Sequence, residues 1–132
     1  MAAGNEDEGH ESFWPASYPD VLAVGAHDQS GDRAEFSNFQ PYVRLSAPGV
    51  GIFTTDMVGY TVNGYYKGFL DPVEIPFEYS GPEGTSYSSP VAAGVSAIVL
   101  GNEPGLTPLQ LKTRLISTNK DIANPYDWGN AA

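Results

Sequence analysis

The 132-residue chain has no cysteine, which excludes a disulfide framework and any thiolate metal site and leaves the redox compartment open. Basic residues are scarce: six lysines and arginines stand against sixteen carboxylates, a formal net charge of −10. That balance opposes binding to nucleic acid or to an anionic membrane, both of which demand a positive surface. Long apolar runs are also missing. The longest, around residues 91–100, is too short to span a bilayer. The start, Met1-Ala2-Ala3-Gly4-Asn5, carries neither a basic region nor an apolar core, so it does not read as a signal peptide. There are only two histidines, His10 and His27, which limits the choice of a general base. No internal repeat is visible. What remains is ordinary for one globular domain: 41% hydrophobic and 12% aromatic residues, with 15 Gly and 11 Pro that promise many loops and few long helices.

The most informative stretch is Gly84-Thr85-Ser86-Tyr87-Ser88-Ser89-Pro90, followed by the small-residue run Val91 to Leu100. Thr85 and Ser86 open a helix whose first turn has unpaired N–H groups and the positive end of the macrodipole. A serine there lies in a field suited to a developing oxyanion, and its own N–H is one donor. The simpler alternative is an ordinary helix-start serine, since serine is favoured at that position. Val91, Val95, Ile98 and Val99 recur at helical spacing and predict one apolar face. Ala92, Ala93, Gly94 and Ala97 are small enough for close approach, and packing through Ala93 and Ala97 is expected.

Residues 1–20 read as loop, with an acidic run at Glu6-Asp7-Glu8 that suits a solvated surface or a cationic group of a substrate. Val21 to Ala26 is a short continuous apolar run bounded by turn signals, as expected of a strand covered on both faces. Val43 to Val50 and Ile52 to Thr55 read as further strand segments. Asn63-Gly64 lies between β-formers, a strong hairpin signal. Leu106-Thr107-Pro108-Leu109-Gln110-Leu111 carries a helix start, with Thr107 as N-cap, Pro108 at the first position and Gln110 completing a capping box. That helix is expected to run to about Ser117, with Leu111, Leu115 and Ile116 inward. Residues 119–132 are polar and read as irregular.

Gly84-Thr85-Ser86 with Pro90 resembles the nucleophile motif of the subtilisin-like serine peptidases, the subtilases. Ala2-Ala3-Gly4-Asn5-Glu6, Pro15-Ala16-Ser17-Tyr18-Pro19 and Val21 to Ala26 resemble the segment that precedes that motif, and Ala47-Pro48-Gly49 its Ala-Pro-Gly turn. The resemblance runs to about residue 122. It implies the C-terminal portion of a parallel-sheet, three-layer α/β fold, with a hairpin insertion over 57–83 before the nucleophile helix. The organisation it implies is an oxyanion-hole loop at 1–20, strands within 21–56, the nucleophile motif and helix at 84–101 and a final helix at 107–117. It also implies Ser86 as nucleophile and Asn5 as oxyanion donor, two groups expected to face one point. Taken alone, Asn5 beside Gly4 is equally suited to a turn.

The family triad runs Asp, His, Ser along the chain, and the resemblance places its Asp and His before residue 1. Neither His10 nor His27 lies in a Gly-x-His pattern opening a helix, and both read as surface or loop residues. The chain thus reads as half an active site on half a core: a fragment, a truncated frame or one partner of a split enzyme. A parallel sheet beginning at Met1 would expose an edge, and the Asn5 loop is free to swing aside. The implied function is that of a serine endopeptidase part acting on peptide or protein, inactive alone, with a complementary N-terminal chain supplying Asp and His. A non-catalytic peptide-binding module and a partner-stabilised structural module are the alternatives. No cofactor is implied. The family's weak cation site would use carbonyls at Ala16, Tyr18 and Val21 with a carboxylate where Arg44 stands here, so no tight calcium is expected. The resemblance implies an extracellular or cell-surface location.

Overall fold

In the computed structural model, the residues described are 1–52, 54, 60–62, 65–67 and 82–118. Strand β1 (Ala23–His27) is the apolar run of the sequence and is buried almost throughout. It pairs in parallel with β2 (Val43–Pro48), from Ala23 opposite Val43 to His27 opposite Pro48, with a register shift after Ala23. On its other edge β1 meets the first residues of the chain. Ala2 forms a parallel bridge with Val24, the Ala3 N–H donates to the Val24 carbonyl, and the Val24 N–H donates to the Met1 carbonyl. The segment feeding the Asn5 loop is therefore tied to the sheet.

Parallel neighbours need a crossover, commonly a helix. Residues 28–42 make this one without a helix, so their backbone groups need side-chain partners. The buried polar residues Ser37, Asn38 and Gln40 lie here. Ser37 Oγ, for instance, accepts the Ala26 N–H at 2.9 Å.

Helix α1 (Thr85–Asn102) lies over the sheet, where Ala92 joins Val24 and Ala47 in a small cluster flanked by Leu22 and Leu45. Strand alternation puts Ala26 on this same face and His27 on the opposite one. Apart from Val24 and Leu115, every fully buried apolar residue among those described is an alanine. Such a core permits close approach but removes little apolar area from water.

The expected face of α1 differs from the one found. Thr85, Ser88 and Ala92 are buried, a 3.6-period stripe, whereas Ala93 and Ala97 point to solvent. Val91, Val95 and Ile98 are 39%, 47% and 68% exposed. The rotation of the helix is set at its start, where hydrogen bonds from distant loops fix Thr85 and Gly84, and those contacts override the valine pattern.

Strands β3 (Tyr60–Val62) and β4 (Tyr65–Lys67) pair antiparallel with Val62 opposite Tyr65, in keeping with the hairpin signal at Asn63-Gly64, two residues outside the described ones. Ile52 and Thr54 belong to no strand. The Ile52 N–H donates to the Pro82 carbonyl at 3.1 Å, so the 53–81 excursion leaves and returns at one place. Most of that insertion and the 119–132 segment lie outside the described residues. Helix α2 (Pro108–Thr118) starts with the expected capping box: the Gln110 N–H donates to Thr107 Oγ1 at 3.3 Å, and the Thr107 N–H to Gln110 Oε1 at 2.8 Å. Leu115 is its buried residue, with Leu111 and Ile116 half-buried. No described helix is long and apolar enough to cross a membrane.

Candidate active site

Gly4 has φ 117°, a conformation glycine adopts freely, and a Cβ there would collide with the Asn38 carboxamide. Asn38 is fully buried and holds the loop from inside. Its Oδ1 accepts the N–H groups of Glu6 and Glu8 at 2.9 and 3.1 Å. Its Nδ2 donates to the Glu6 carboxylate at 2.8 Å and to the Ala3 carbonyl at 3.3 Å. Its backbone N–H donates to the Gly4 carbonyl at 3.1 Å. Arg33 secures the far side, donating to Asp7 at 2.9 Å and to the Ser37 carbonyl at 2.7 Å while its guanidinium sits over the Phe39 ring. Asn5 is thus presented by a loop fixed through residues 33–39.

Asn5 reaches the start of α1, 80 residues along the chain. Its Oδ1 accepts the Thr85 N–H at 2.9 Å and the Thr85 hydroxyl at 2.8 Å. Thr85 Oγ1 in turn accepts the Gly4 N–H at 3.2 Å. The N-cap itself is Gly84, which has no side chain to cap with, and Asn5 instead takes the first N–H of the helix, that of Thr85. With Oδ1 committed to Thr85, Asn5 Nδ2 is turned toward Gly84. A Cβ on Gly84 would stand 3.3 Å from Asn5 Nδ2 and 3.8 Å from the Ser86 nitrogen. Both nitrogens thus lie within 4 Å of the position that a Gly84 side chain would take. Its φ of 147° is again glycine's.

Ser86 is exposed, while its neighbours Thr85 and Ser88 are buried. The helix behind it is 18 residues long with no acidic residue in its first turn, so the field at Ser86 favours negative charge. Pro90 sits inside the helix and has no N–H, which frees the Ser86 carbonyl from its i+4 partner. Gly84 is itself anchored, its N–H donating to the Gly49 carbonyl at 2.8 Å. The Ala-Pro-Gly turn at the end of β2 thereby fixes the start of α1.

The sequence matches the subtilase family profile over residues 1–129. The chain belongs to the subtilase family. It is 36% identical to a thermostable alkaline protease of Halalkalibacterium halodurans over 129 residues, 98% of this chain and 30% of that protein. It is 37% identical to an extracellular basic protease of Dichelobacter nodosus, covering 98% of this chain and 20% of that one. Among solved structures, a cold-adapted subtilisin-like serine proteinase superposes with a TM-score of 0.65 at 33% identity. That match covers 88% of this chain and 36% of the other. A protease of Pseudoalteromonas arctica gives 0.67 at 26% identity over 91% and 35%. This subtilase chain thus spans between 20% and 41% of the relatives it matches, and its fold is a portion of the subtilisin-like α/β fold.

Among the described residues, neither histidine of this subtilase chain is hydrogen-bonded to Ser86. His27 ends β1 on the sheet face opposite α1, its Nδ1 3.1 Å from Ser46 Oγ, and burial pushes its pKa down. His10 is exposed in the acidic loop, where its backbone N–H donates to the Glu8 carboxylate. That bond and the Glu11 N–H hold the Glu8 carboxyl below its usual range. Sequence reasoning misses Asn38 and the Thr85 hydroxyl. Thr85 lies inside the nucleophile motif, but nothing local marks Asn38, one polar residue in a loop whose side-chain partners lie 30 to 35 positions away.

Proposed function

We propose that this chain is the nucleophile-bearing part of a serine endopeptidase, with Ser86 attacking the peptide carbonyl and the Asn5 amide and Ser86 N–H holding the oxyanion. The observation that supports this reading is the proximity of the Asn5 side chain to the start of α1, its Oδ1 accepting the Thr85 N–H and its Nδ2 lying 3.3 Å from where a Gly84 side chain would stand. Donors fixed before reaction stabilise developing charge without reorganising. Asn5 is fixed through Thr85 and, behind it, Asn38. A serine hydroxyl without a base is a poor nucleophile near neutral pH. Neither histidine is hydrogen-bonded to Ser86 among the described residues, which supports a reading in which the chain alone does not turn over substrate and a complementary N-terminal segment supplies an Asp and a His. Peptide or protein is the substrate, and an extracellular setting follows by analogy with the Dichelobacter nodosus relative.

The test is hydrolysis of a fluorogenic peptide mixture by the chain, with Ser86→Ala as control. No turnover above that control is expected from the chain alone. Turnover is expected when a segment carrying the family's Asp and His motifs is added, and not with Ser86→Ala. Loss of one oxyanion donor lowers turnover about 10²–10³-fold in subtilisin itself, a value belonging to that enzyme, and Asn5→Ala is expected to follow it. Robust turnover by the chain alone, abolished in Ser86→Ala, would return His10 or His27 as the base.

A second reading, a partner-stabilised module without catalysis, is favoured by the exposed Val91, Val95 and Ile98 on α1. It predicts that the added segment binds and stabilises the chain yet yields no turnover.

A further inference from the structure

Lys112, on the second turn of α2, crosses to the loop that precedes β1. Its Nζ donates to the Pro19 carbonyl at 2.7 Å and to the Val21 carbonyl at 2.8 Å, 93 and 91 residues away. Two main-chain carbonyls from one short turn thus converge on a single cationic centre. Convergent carbonyl oxygens are what a hard cation takes, and the contact lengths here are those of N–H···O bonds. The family's weak cation site would draw on this same loop, through carbonyls at Ala16, Tyr18 and Val21, and the residues present do not fit it. The Tyr18 carbonyl accepts the Val21 N–H at 3.0 Å, and the Val21 carbonyl accepts the ammonium. The carboxylate expected on β2 is Arg44, whose side chain is exposed. Calcium asks for six to eight oxygens at about 2.3–2.6 Å, carboxylates prominent among them.

We infer that the Lys112 ammonium is a tethered cation standing in for a metal ion at the Pro19–Val21 carbonyls, so that docking of α2 on this loop needs no dissolved cation. The ammonium reaches the loop from a rigid base. The Thr107–Gln110 capping box fixes the turn of α2 immediately before it, and Leu115, three residues on, is buried. A covalently tethered cation is always present at high effective concentration, whereas a dissolved one must be recruited.

The experiment is thermal unfolding of the full chain and of Lys112→Met, which keeps an apolar stem but no charge. Each is measured in choline chloride, potassium chloride and calcium chloride at equal ionic strength. The variant is expected to melt lower than the native chain in choline and to regain part of that loss in potassium or calcium. The native chain is expected to respond less to the same salts, so general screening of the acidic chain is subtracted. If the variant is unfolded in choline, refolding on addition of potassium or calcium supports the inference equally, and failure to refold in either salt overturns it. An unchanged midpoint for the variant, or equal cation responses in both chains, overturns the inference too. As an independent check on the native chain, reductive methylation of Lys112 should be slower than in the urea-unfolded chain and unaffected by calcium. Equal rates, or release of the amine by calcium, overturn it as well.

Discussion

His27 shows how one half-buried side chain makes stability depend on pH. Burial disfavours its charged form, so the folded chain takes up the proton at lower pH than the unfolded chain, whose value is near 6.5. Above that value both states are neutral there and the residue costs nothing. As pH falls from 6.5 through the lower folded value, the unfolded state binds more protons and stability drops, with no further loss below. His27→Gln, which keeps a polar contact for Ser46 Oγ, is expected to remove this component. Urea unfolding at about pH 7.5 and at a series of pH values below the unfolded value measures it: the native chain should lose more stability along that series than the variant. Equal losses would place the acid sensitivity elsewhere, among the sixteen carboxylates.

At the scale of the element, the start of α1 is the joint on which the site depends. The helix has no capping side chain of its own, and its first N–H, that of Thr85, is taken by Asn5. The bare N-cap glycine leaves free a position within 4 Å of both the Asn5 amide nitrogen and the Ser86 nitrogen. Gly84→Ala therefore acts twice. It forces a side-chain-bearing residue to φ near 147°, which costs of order 1–3 kcal/mol. It also places a methyl within 4 Å of both nitrogens. Chemical denaturation should show a loss within that range, and in the complemented enzyme turnover should fall more than substrate binding. A variant with native stability and native turnover would remove the Gly84 space from the candidate site. Asn38 supports the same joint from behind, its two acceptor contacts and two donor contacts fixing the loop that presents Asn5.

At the scale of the molecule, the described residues bury small side chains and leave several large apolar ones in water. The interior among the described residues is mostly alanine, while Val91, Val95 and Ile98 line an open face of α1. Each fully buried Val or Ile side chain is worth roughly 1.5–3 kcal/mol, so leaving several in water forgoes a substantial part of the stability of a small domain. A cluster of such residues promotes association. Ile98 is the most exposed of the three, and Ile98→Glu is expected to lower concentration-dependent self-association in sedimentation velocity with little change in melting temperature. A large loss of melting temperature would instead mean that the face is covered within the chain.

What the sequence determined alone was whatever depends on a few adjacent residues. The capping box of α2, the Asn63-Gly64 hairpin register, the apolar run of β1 and the Gly-Thr-Ser opening of α1 are each written within a handful of positions, because caps, turns and strand propensity act locally. The candidate donors, Asn5 and Ser86, are singled out by the sequence for the same reason: each lies in a short motif. Only the tertiary structure decided how α1 turns about its axis. A valine stripe at helical spacing pointed one way, and the contacts of Thr85 with Asn5 and of Gly84 with Gly49 turned Ala92 inward instead. Asn38 and Lys112 were invisible for a related reason. A single Asn in a loop or a single Lys on a helix has no periodicity, and its role comes from backbone groups that reach it only after the chain has folded back across 30 to 93 positions.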